Sequence, residues 1–571
     1  MAAKIYQFVK SREEIAVSQQ QEFEPREVLP ELQQEMLEGL FDRLSPADKV
    51  DVLQNKIIPV AYFPHRTLYA AAGELARDAA LAEGKRVVAA IGIGQLALAT
   101  KYKMGAQLLH QATFALRGRF PNKSAFHRIT TMQSVWIYGL AMIIGWAFVR
   151  MNAELFYALA SLITGLFFLA VVSLRALCLL EGKPVQQKYP RLLDVDLPVY
   201  SVLVPLFRET AILNQLMAAL MRLSYPTTKL DIKLILEETD TAMQRAVAAH
   251  FLPEHFDVIV VPAGKPQTKP RALNYALQFA RGTLLTIYDA EDIPEPLQLR
   301  KAAEHFAASP KRMACLQAEL TFYNPNENWL TRQFTVEYAA LFKLLLPAFV
   351  REKLPLPLGG TSNHFRSSVL RAVGAWDPYN VTEDADLGIR LARMGYATAM
   401  LDSVTYEEAS SGFSNWLQQR SRWLKGFLQT WLVHARTPFQ LVREIGLYGA
   451  FTVHVMTLGV FGSALLHPIL LFYTLFKIAS GQILSDAPSL LMTSLIGLNL
   501  VVFCAGYGIS LLVGSKALRR KQIFGWWKIL LTMPIYWFLI SIAGWCALWQ
   551  FICRPHHWNK TVHGQSRFQK R

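Results

Sequence analysis

Apolar residues along this chain fall into long runs and short ones. The long runs begin near Ser134 (SVWIYGLAMIIGWAFV), continue from Leu155 to Leu180, and return at about 448–480, 489–513 and 526–552. Each is long enough, or nearly so, to cross about 30 Å of hydrocarbon as a helix. Only Arg150 to Glu154 separate the first two, which predicts a membrane hairpin over 134–180. Arg117, Arg119, Lys123 and Arg128 precede the hairpin, and Lys183, Lys188 and Arg191 follow it. Positive charge on both flanks puts both ends in the cytosol. Another basic cluster, Lys516, Arg519, Arg520 and Lys521, follows the 489–513 stretch, and Arg554, Lys560, Arg567, Lys570 and Arg571 mark the tail. The 448–480 stretch is overlong and carries His467-Pro468, where proline can interrupt a helix. Divided there, it gives six membrane segments and a cytosolic C-terminus.

Short runs dominate the insertion at 183–435. Tyr200–Pro205, Leu230–Leu236, Phe256–Pro262 and Gly282–Tyr288 read as four strands, with helical patterns at Ile212–Leu223 and Ala242–Phe251. Strands alternating with helices at this spacing predict an α/β domain with a doubly wound, mainly parallel sheet. Ligands of such sheets bind beyond the C-terminal ends of the strands. Ahead of the hairpin, residues 1–130 mix helical patterns with short apolar runs such as Arg86–Ile91, and carry no motif tied to chemistry.

Composition agrees with this division. The chain has 571 residues, 52% hydrophobic and only 18% charged, with a formal net charge of +16. Disordered and collagen-like chains are excluded, and the charged fraction is low for a soluble globule. The basic residues bracket membrane segments instead of forming one face with aromatics, which disfavours nucleic acid as a partner. Five cysteines without a CxxC pair, four of them in or beside apolar runs, read as buried thiols. Met1 to about Arg26 lacks a signal-peptide core.

Polar residues after the strands are the candidates for chemistry. Asp289-Ala290-Glu291-Asp292 puts three acids in four residues at a strand end, a set that suits Mg2+ or Mn2+ bridging to phosphates. An acidic cap for a helix starting near Pro294 is the competing reading. Lys265, Lys269 and Arg271 lie in one loop and could pair with a diphosphate. Thr382 to Asp386 could be a helix N-terminus favoured by the dipole. Gln419, Arg422 and Trp423 share one helix face, and with Arg420 and Lys425 also suit a membrane-surface amphipathic helix.

Taken together, Glu237-Glu238, Lys269-x-x-Ala272-Leu273-Asn274, Asp289-x-Glu291, Thr382-Glu383-Asp384 and Gln419-x-x-Arg422-Trp423 stand in a telling order. The set resembles family 2 glycosyltransferases of the membrane-embedded, processive kind: cellulose, hyaluronan, chitin, curdlan and mixed-linkage glucan synthases. The resemblance covers about residues 134–565. Residues 1–130 fall outside it and are only faintly similar to amino-terminal domains of some bacterial glycosyltransferases and secretion ATPases.

The resemblance implies a GT-A-like domain at 183–435 between the 134–180 hairpin and a 448–552 membrane block, with a basic tail at 553–571. It implies Pro205, Glu209, Glu237, Glu238, Lys269, Asn274, Gln419 and Arg422 as nucleotide and diphosphate contacts. Asp289 and Glu291 would hold Mg2+ or Mn2+, with Asp292 a competitor. Asp384 would be the general base, with Glu383 and Asp386 as near alternatives. Gly360, Thr361, His364, Glu383 and Trp423 would face the acceptor, although His364 also fits an ordinary buried histidine. Trp558-x-x-Thr561 is similar to a gating segment of relatives. Glu-for-Asp at 237–238 and at 291 departs from the usual pattern.

The expected activity is inverting transfer from a nucleotide diphosphate sugar, a UDP-sugar first, to a growing β-linked polysaccharide. The expected setting is the inner (plasma) membrane with a cytosolic catalytic domain, the lipid bilayer around it, and an export or regulatory partner. One alternative is single transfer to a lipid-linked or short glycan acceptor. Another is a membrane receptor or transport scaffold with a degenerate transferase domain.

Overall fold

Alternation along the strands decides the sheet. A computed structural model describes residues 29–63, 66–181, 189–481, 489–518, 523–555, 564 and 566. The segment Met1–Arg26, the residues Lys183, Lys188 and Arg519–Lys521, the Trp558–His563 motif, and Arg567, Lys570 and Arg571 lie outside the described residues.

The amino-terminal block holds a three-stranded sheet of β1 (Ile57–Phe63), β2 (Arg66–Ala72) and β3 (Arg86–Ile91), followed by the long helix Ile93–Arg119. The four expected strands of the insertion are present as β4 (Tyr200–Leu206), β5 (Leu230–Glu237), β6 (Phe256–Val261) and β7 (Leu284–Ile287). Four more join them: β8 (Ile293–Pro294), β9 (Met313–Phe322), β10 (Asn363–Arg366) and β11 (Ala397–Glu407). Their order is β6-β5-β4-β7-β10-β9-β11-β8. The pairs β6/β5, β5/β4, β4/β7 and β9/β11 are parallel, whereas β10 runs antiparallel to both its neighbours and β8 antiparallel to β11.

Both faces of this sheet are covered. Leu203, Ile235, Leu285 and Ile287 point into one apolar core, while Val202, Val204, Ile232 and Leu234 point into another. That is the two-residue period of a strand buried on both sides. The first core also takes in Leu37, Ile58 and Leu108, so the amino-terminal block shares one hydrophobic core with the eight-stranded sheet. Chain order runs outward from β4 to β5 and β6, then returns across β4 to β7. This reversal creates a crevice between the ends of β4 and β7, the place where doubly wound sheets bind ligands.

Among the described residues, six helices are long and apolar enough to cross a membrane: Thr131–Arg150, Ala153–Leu180, Trp329–Arg351, Pro438–Ala479, Leu490–Ala517 and Met533–Cys553. The number matches expectation but the membership does not. Helix Val460–Ala479 runs straight through Pro468. Neighbouring membrane helices and local adjustments can satisfy the carbonyl that a proline frees. The chain bends instead at Gly446, whose φ of 74° suits glycine. The sixth candidate is Trp329–Arg351, 61% of whose most apolar window is buried inside the protein.

Small residues let the membrane helices approach each other. Asn499 Nδ2 donates to Ser161 Oγ at 2.6 Å, against the flank of Gly165, where a Cβ would lie 2.4 Å from Asn499 Oδ1. Beyond the last helix, Arg128 donates to the Ile552 carbonyl at 2.9 Å and Gln429 to that of Pro555 at 2.9 Å. The end of that helix therefore lies on the side of the eight-stranded sheet domain.

Glycine also sets the position of the helix Glu383–Arg393. A Cβ on Gly388 would sit 2.0 Å from the Leu356 carbonyl oxygen. Gly388→Ala is expected to cost about 1–3 kcal/mol of stability, as overpacking does. Thermal unfolding of the detergent-solubilised protein checks this, and an unchanged midpoint would show that the approach is looser than described.

Candidate active site

The crevice is bounded by Pro205 to Glu209, at the end of β4 and just beyond it, and by Asp289 to Asp292 after β7. Beside it, β5 ends in Glu237 and Glu238. Glu237 is buried and accepts from Arg271 Nη2 at 2.7 Å. Burial raises its carboxyl and Arg271 opposes that rise. Arg271 is fully buried, so this cation of the expected diphosphate loop serves Glu237 instead. Asn274 is likewise spent on structure: its Nδ2 donates to the carbonyls of Ala112 at 3.0 Å and Trp376 at 2.8 Å. Lys269 is different. Its Nζ pairs with Asp289 and donates to the Gly360 carbonyl at 2.8 Å. Burial would depress this ammonium, but Asp289, Glu383 and Asp384 more than offset it and hold it above the usual lysine range.

Carboxylates outnumber cations here. Burial, Asp289 and Glu209 push Glu291 well above the usual carboxylate range. Glu407, at the end of β11, is raised by burial, Asp292, Glu291 and Asp289. Asp292 is raised by burial, Asp289 and Glu291. The Asp292 side chain closes its own turn, accepting the Asp289 N–H at 2.7 Å and the Thr361 hydroxyl. These acids do not cap a helix at Pro294, which lies in β8; the next helix begins at Gln298. The excess charge and the buried Asp292 Oδ1, without a hydrogen-bond partner among the described residues, suit a hard divalent cation. Among the described residues no three His, Cys, Asp or Glu side chains form a ready-made metal cage. A Mg2+-type ion does not require one, since it takes one or two carboxylates and completes its shell with phosphates and water.

Across from the Asp289–Asp292 turn, Glu383 to Asp386 occupy the first turn of Glu383–Arg393. Asp386 is fully buried, accepting from Arg390 at 2.8 Å and facing His434 Nε2 at 3.1 Å. Glu383 is 8% exposed, and burial and Asp384 raise it to about 7. Asp384 is the most open of the three acids, and burial raises it too, against a hydrogen bond from Ala385 and the charges of Lys269 and Arg422. Above it lies Gly360, where a Cβ would stand 3.2 Å from Asp384 Oδ2.

The helix Phe413–His434 completes the site. Charge on Arg422 reaches Glu383, Asp384 and Asp289, while its neighbour Trp423 stacks on Tyr338 at 6.3 Å. Gln419 is buried on the same face. Arg420 and Lys425 are 6% and 1% exposed, so they are not headgroup anchors and this is not a surface helix. Arg420 forks onto Glu337 at 2.6 and 2.5 Å and reaches the Tyr536 hydroxyl at 3.0 Å.

Two acceptor-side expectations are corrected. His364 is fully buried in β10 with Nδ1 on the Tyr200 hydroxyl at 2.6 Å and Nε2 near Gln298 at 3.2 Å, and burial lowers its pKa to about 3. It is a neutral core histidine. The Thr361 side chain bonds Asp292 and the Ile287 carbonyl, so it holds the acidic turn and does not face an acceptor. Sequence reasoning missed Glu337, Tyr536 and Glu407, which belong to no local motif.

The Thr382 turn rests on Gly426, where a Cβ would lie 2.4 Å from Thr382 Cγ2. Gly426→Ala is expected to shift Asp384 and lower kcat roughly 10-fold or more, since small misplacements of catalytic groups cost up to about 100-fold. Steady-state kinetics on protein of matched thermal stability reads this, and an unchanged kcat would contradict the packing.

Residues 284–553 match the family model described as glycosyl transferase family group 2. The probable glycosyltransferase YdaM of Bacillus subtilis is 25% identical over 49% of this chain and 68% of its own length. The β-monoglucosyldiacylglycerol synthase of Synechocystis sp. is 28% identical over 46% of this chain and 56% of its own. A probable glucomannan 4-β-mannosyltransferase of Arabidopsis thaliana is 24% identical over 40% of this chain and 43% of its own. The chain thus spans about half the length of the last two relatives. A Pyrobaculum calidifontis mannosyltransferase, solved with GDP-Man and Mn2+, aligns at a TM-score of 0.41 with 14% identity over 69% of this chain and 97% of that one, a weak likeness on which nothing further rests. Residues 284–553 form a family 2 glycosyltransferase domain, and the protein is a glycosyltransferase.

Proposed function

We propose that the enzyme is an inverting, processive transferase. It moves a sugar from a nucleotide diphosphate sugar, with UDP-sugars first among donors, onto a β-linked glycan, working from the cytosolic face of the plasma membrane. The observation that carries this reading is the position of Asp384, within reach of the charges of Lys269, which pairs with Asp289, and of Arg422, the neighbour of Trp423 on the Phe413–His434 helix. Trp423 and Arg420 line a cavity of about 1140 Å³ among the membrane helices. Along Ala153–Glu181 its wall extends from Tyr157 to Cys178, a span of roughly 30 Å at 1.5 Å per residue. A path of that length supports export coupled to elongation.

In the reaction, the Asp384 carboxylate takes the proton of the acceptor hydroxyl. The acceptor oxygen attacks the anomeric carbon from the face opposite the diphosphate, and the bond to the diphosphate breaks. Lys269 and Arg422 place positive charge beside the acids, where they can meet the departing group. Mg2+ or Mn2+ held by Asp289 and Glu291 would neutralise charge on that group. Gly360 leaves room over Asp384 for the acceptor.

The largely apolar cavity wall, with Val171, Leu174, Val336 and Leu341, favours a second reading in which a lipid carries the acceptor. Incubation with a panel of nucleotide sugars and Mg2+ or Mn2+, followed by product sizing and linkage analysis, separates the two. A long polymer is expected; a solvent-extractable product one sugar larger than a lipid would replace the processive reading with the lipid one.

Asp384→Asn is expected to lower transfer by about 10²–10⁴-fold, the usual weight of a general base, while the protein still folds. Because the base works deprotonated and its pKa is raised, activity is lost at higher pH than for an ordinary carboxylate as pH falls. The acid limb of the kcat/KM profile should therefore lie above the usual aspartate range, and a limb at or below about pH 4 would contradict the assignment.

A further inference from the structure

The transferase motifs account for one side of the donor pocket and leave the amino-terminal block without a task. Its contacts with the donor side converge on one place. The helix Ile93–Arg119 lies against Lys269–Leu277, the helix whose first residue pairs with Asp289. Asn274 and Gln278 of the latter donate to the carbonyls of Ala112 at 3.0 Å and Leu108 at 3.1 Å. Leu109 packs on the loop that follows β6, 3.3 Å from the place of a Cβ on Gly264. About two turns earlier on the same helix, Lys101 Nζ bonds Glu238 Oε1 at 2.7 Å. The other oxygen of Glu238 accepts the Ala263 N–H at 2.9 Å.

Glu238 is thus clamped between an amino-terminal lysine and the loop after β6. Its partner Glu237 is buried on Arg271 and turned away from solvent, so Glu238 is the carboxylate of the pair open to a ligand. A carboxylate has about four acceptor sites, and two remain on Glu238 for hydroxyl or N–H donors. Lys101 and Glu238 are both about half exposed, with side-chain exposures of 47% and 40%. Such a pair contributes little to folding, so its placement at the end of β5 calls for another explanation.

We propose that the amino-terminal block completes the donor pocket. Lys101 is a positioning residue that aims the Glu238 carboxylate at the nucleoside of the nucleotide sugar. The block is then a part of the transferase's donor recognition and not a free-standing appendage. This rests on reading the β4–β7 crevice as a nucleotide sugar site.

The test uses the full-length enzyme in detergent or nanodiscs. It measures binding of UDP, GDP and ADP by calorimetry, and donor KM and kcat for wild type, Lys101→Ala and Lys101→Arg. Lys103→Ala is the control, since Lys103 pairs with Asp42 inside the amino-terminal block. Lys101→Ala should weaken binding of the preferred nucleotide and raise donor KM by roughly fivefold or more, on the scale of one charge-assisted hydrogen bond. Its kcat should change less than about twofold, Lys101→Arg should restore most of the affinity, and Lys103→Ala should match wild type. An unchanged KM in Lys101→Ala, or an Arg variant no better than Ala, would overturn the role of Lys101 while leaving the crevice assignment standing. Wild type that binds none of the three nucleotides would overturn the crevice assignment itself.

Discussion

The site is organised by an imbalance of buried charge around Lys269. Its ammonium lies between Asp289 and the Gly360 carbonyl and within reach of Glu383 and Asp384. Glu291 and Glu407 stand within reach of its charge, and Glu209 and Asp292 add negative charge beside them. Burying an ion costs several kcal/mol unless a partner offsets it. One lysine and the nearby Arg422 do not balance these acids, so several carboxyls are pushed upward. A site of this kind is completed by what it binds, and a diphosphate with its divalent ion carries the cations and ligand oxygens that the acids lack.

The rest of the fold keeps that imbalance in place. The reversal from β6 back across β4 to β7 brings Asp289 beside the β4 end, and antiparallel β10 brings the Gly359–Asn363 loop against the acidic turn. On the far side, Gly388 and Gly426 let the Asp384 turn sit between the backbone of the Leu356 segment and the Phe413–His434 helix. Arg420 then fastens that helix to Glu337 and to Tyr536 of the last membrane helix. The same helix therefore brings the charge of Arg422 to Glu383 and Asp384 and lines the cavity among the long helices with Trp423.

Much of this was legible from local pattern. β4 to β7 are short apolar runs alternating with helical patterns, and the long hydrophobic helices follow from length alone. The acidic turn at 289–292 and the Thr382–Asp384 turn are contiguous, so their chemistry could be read from neighbours in sequence. What escaped depends on contacts distant in the chain. β10 has four residues, Asn-His-Phe-Arg, and is a strand only because β7 and β9 flank it. His364 looked available within a glycine-rich loop but is claimed by Tyr200, more than 160 residues away. Glu337 and Tyr536 lie in hydrophobic stretches where a single polar residue carries no signal. The Pro468 reading failed for the opposite reason: a strong local breaker was overridden by the surrounding helices, and the bend went to a glycine.

Charge balance makes the account testable at its centre. Calorimetric titration of the full-length enzyme with UDP, and with GDP, in the presence of Mg2+ or Mn2+ and again with excess chelator, isolates the claim that nucleotide and cation together complete the acids. The account predicts tight binding of the preferred nucleotide with the metal and loss of most of that affinity without it. Equal affinity in the two conditions would contradict it.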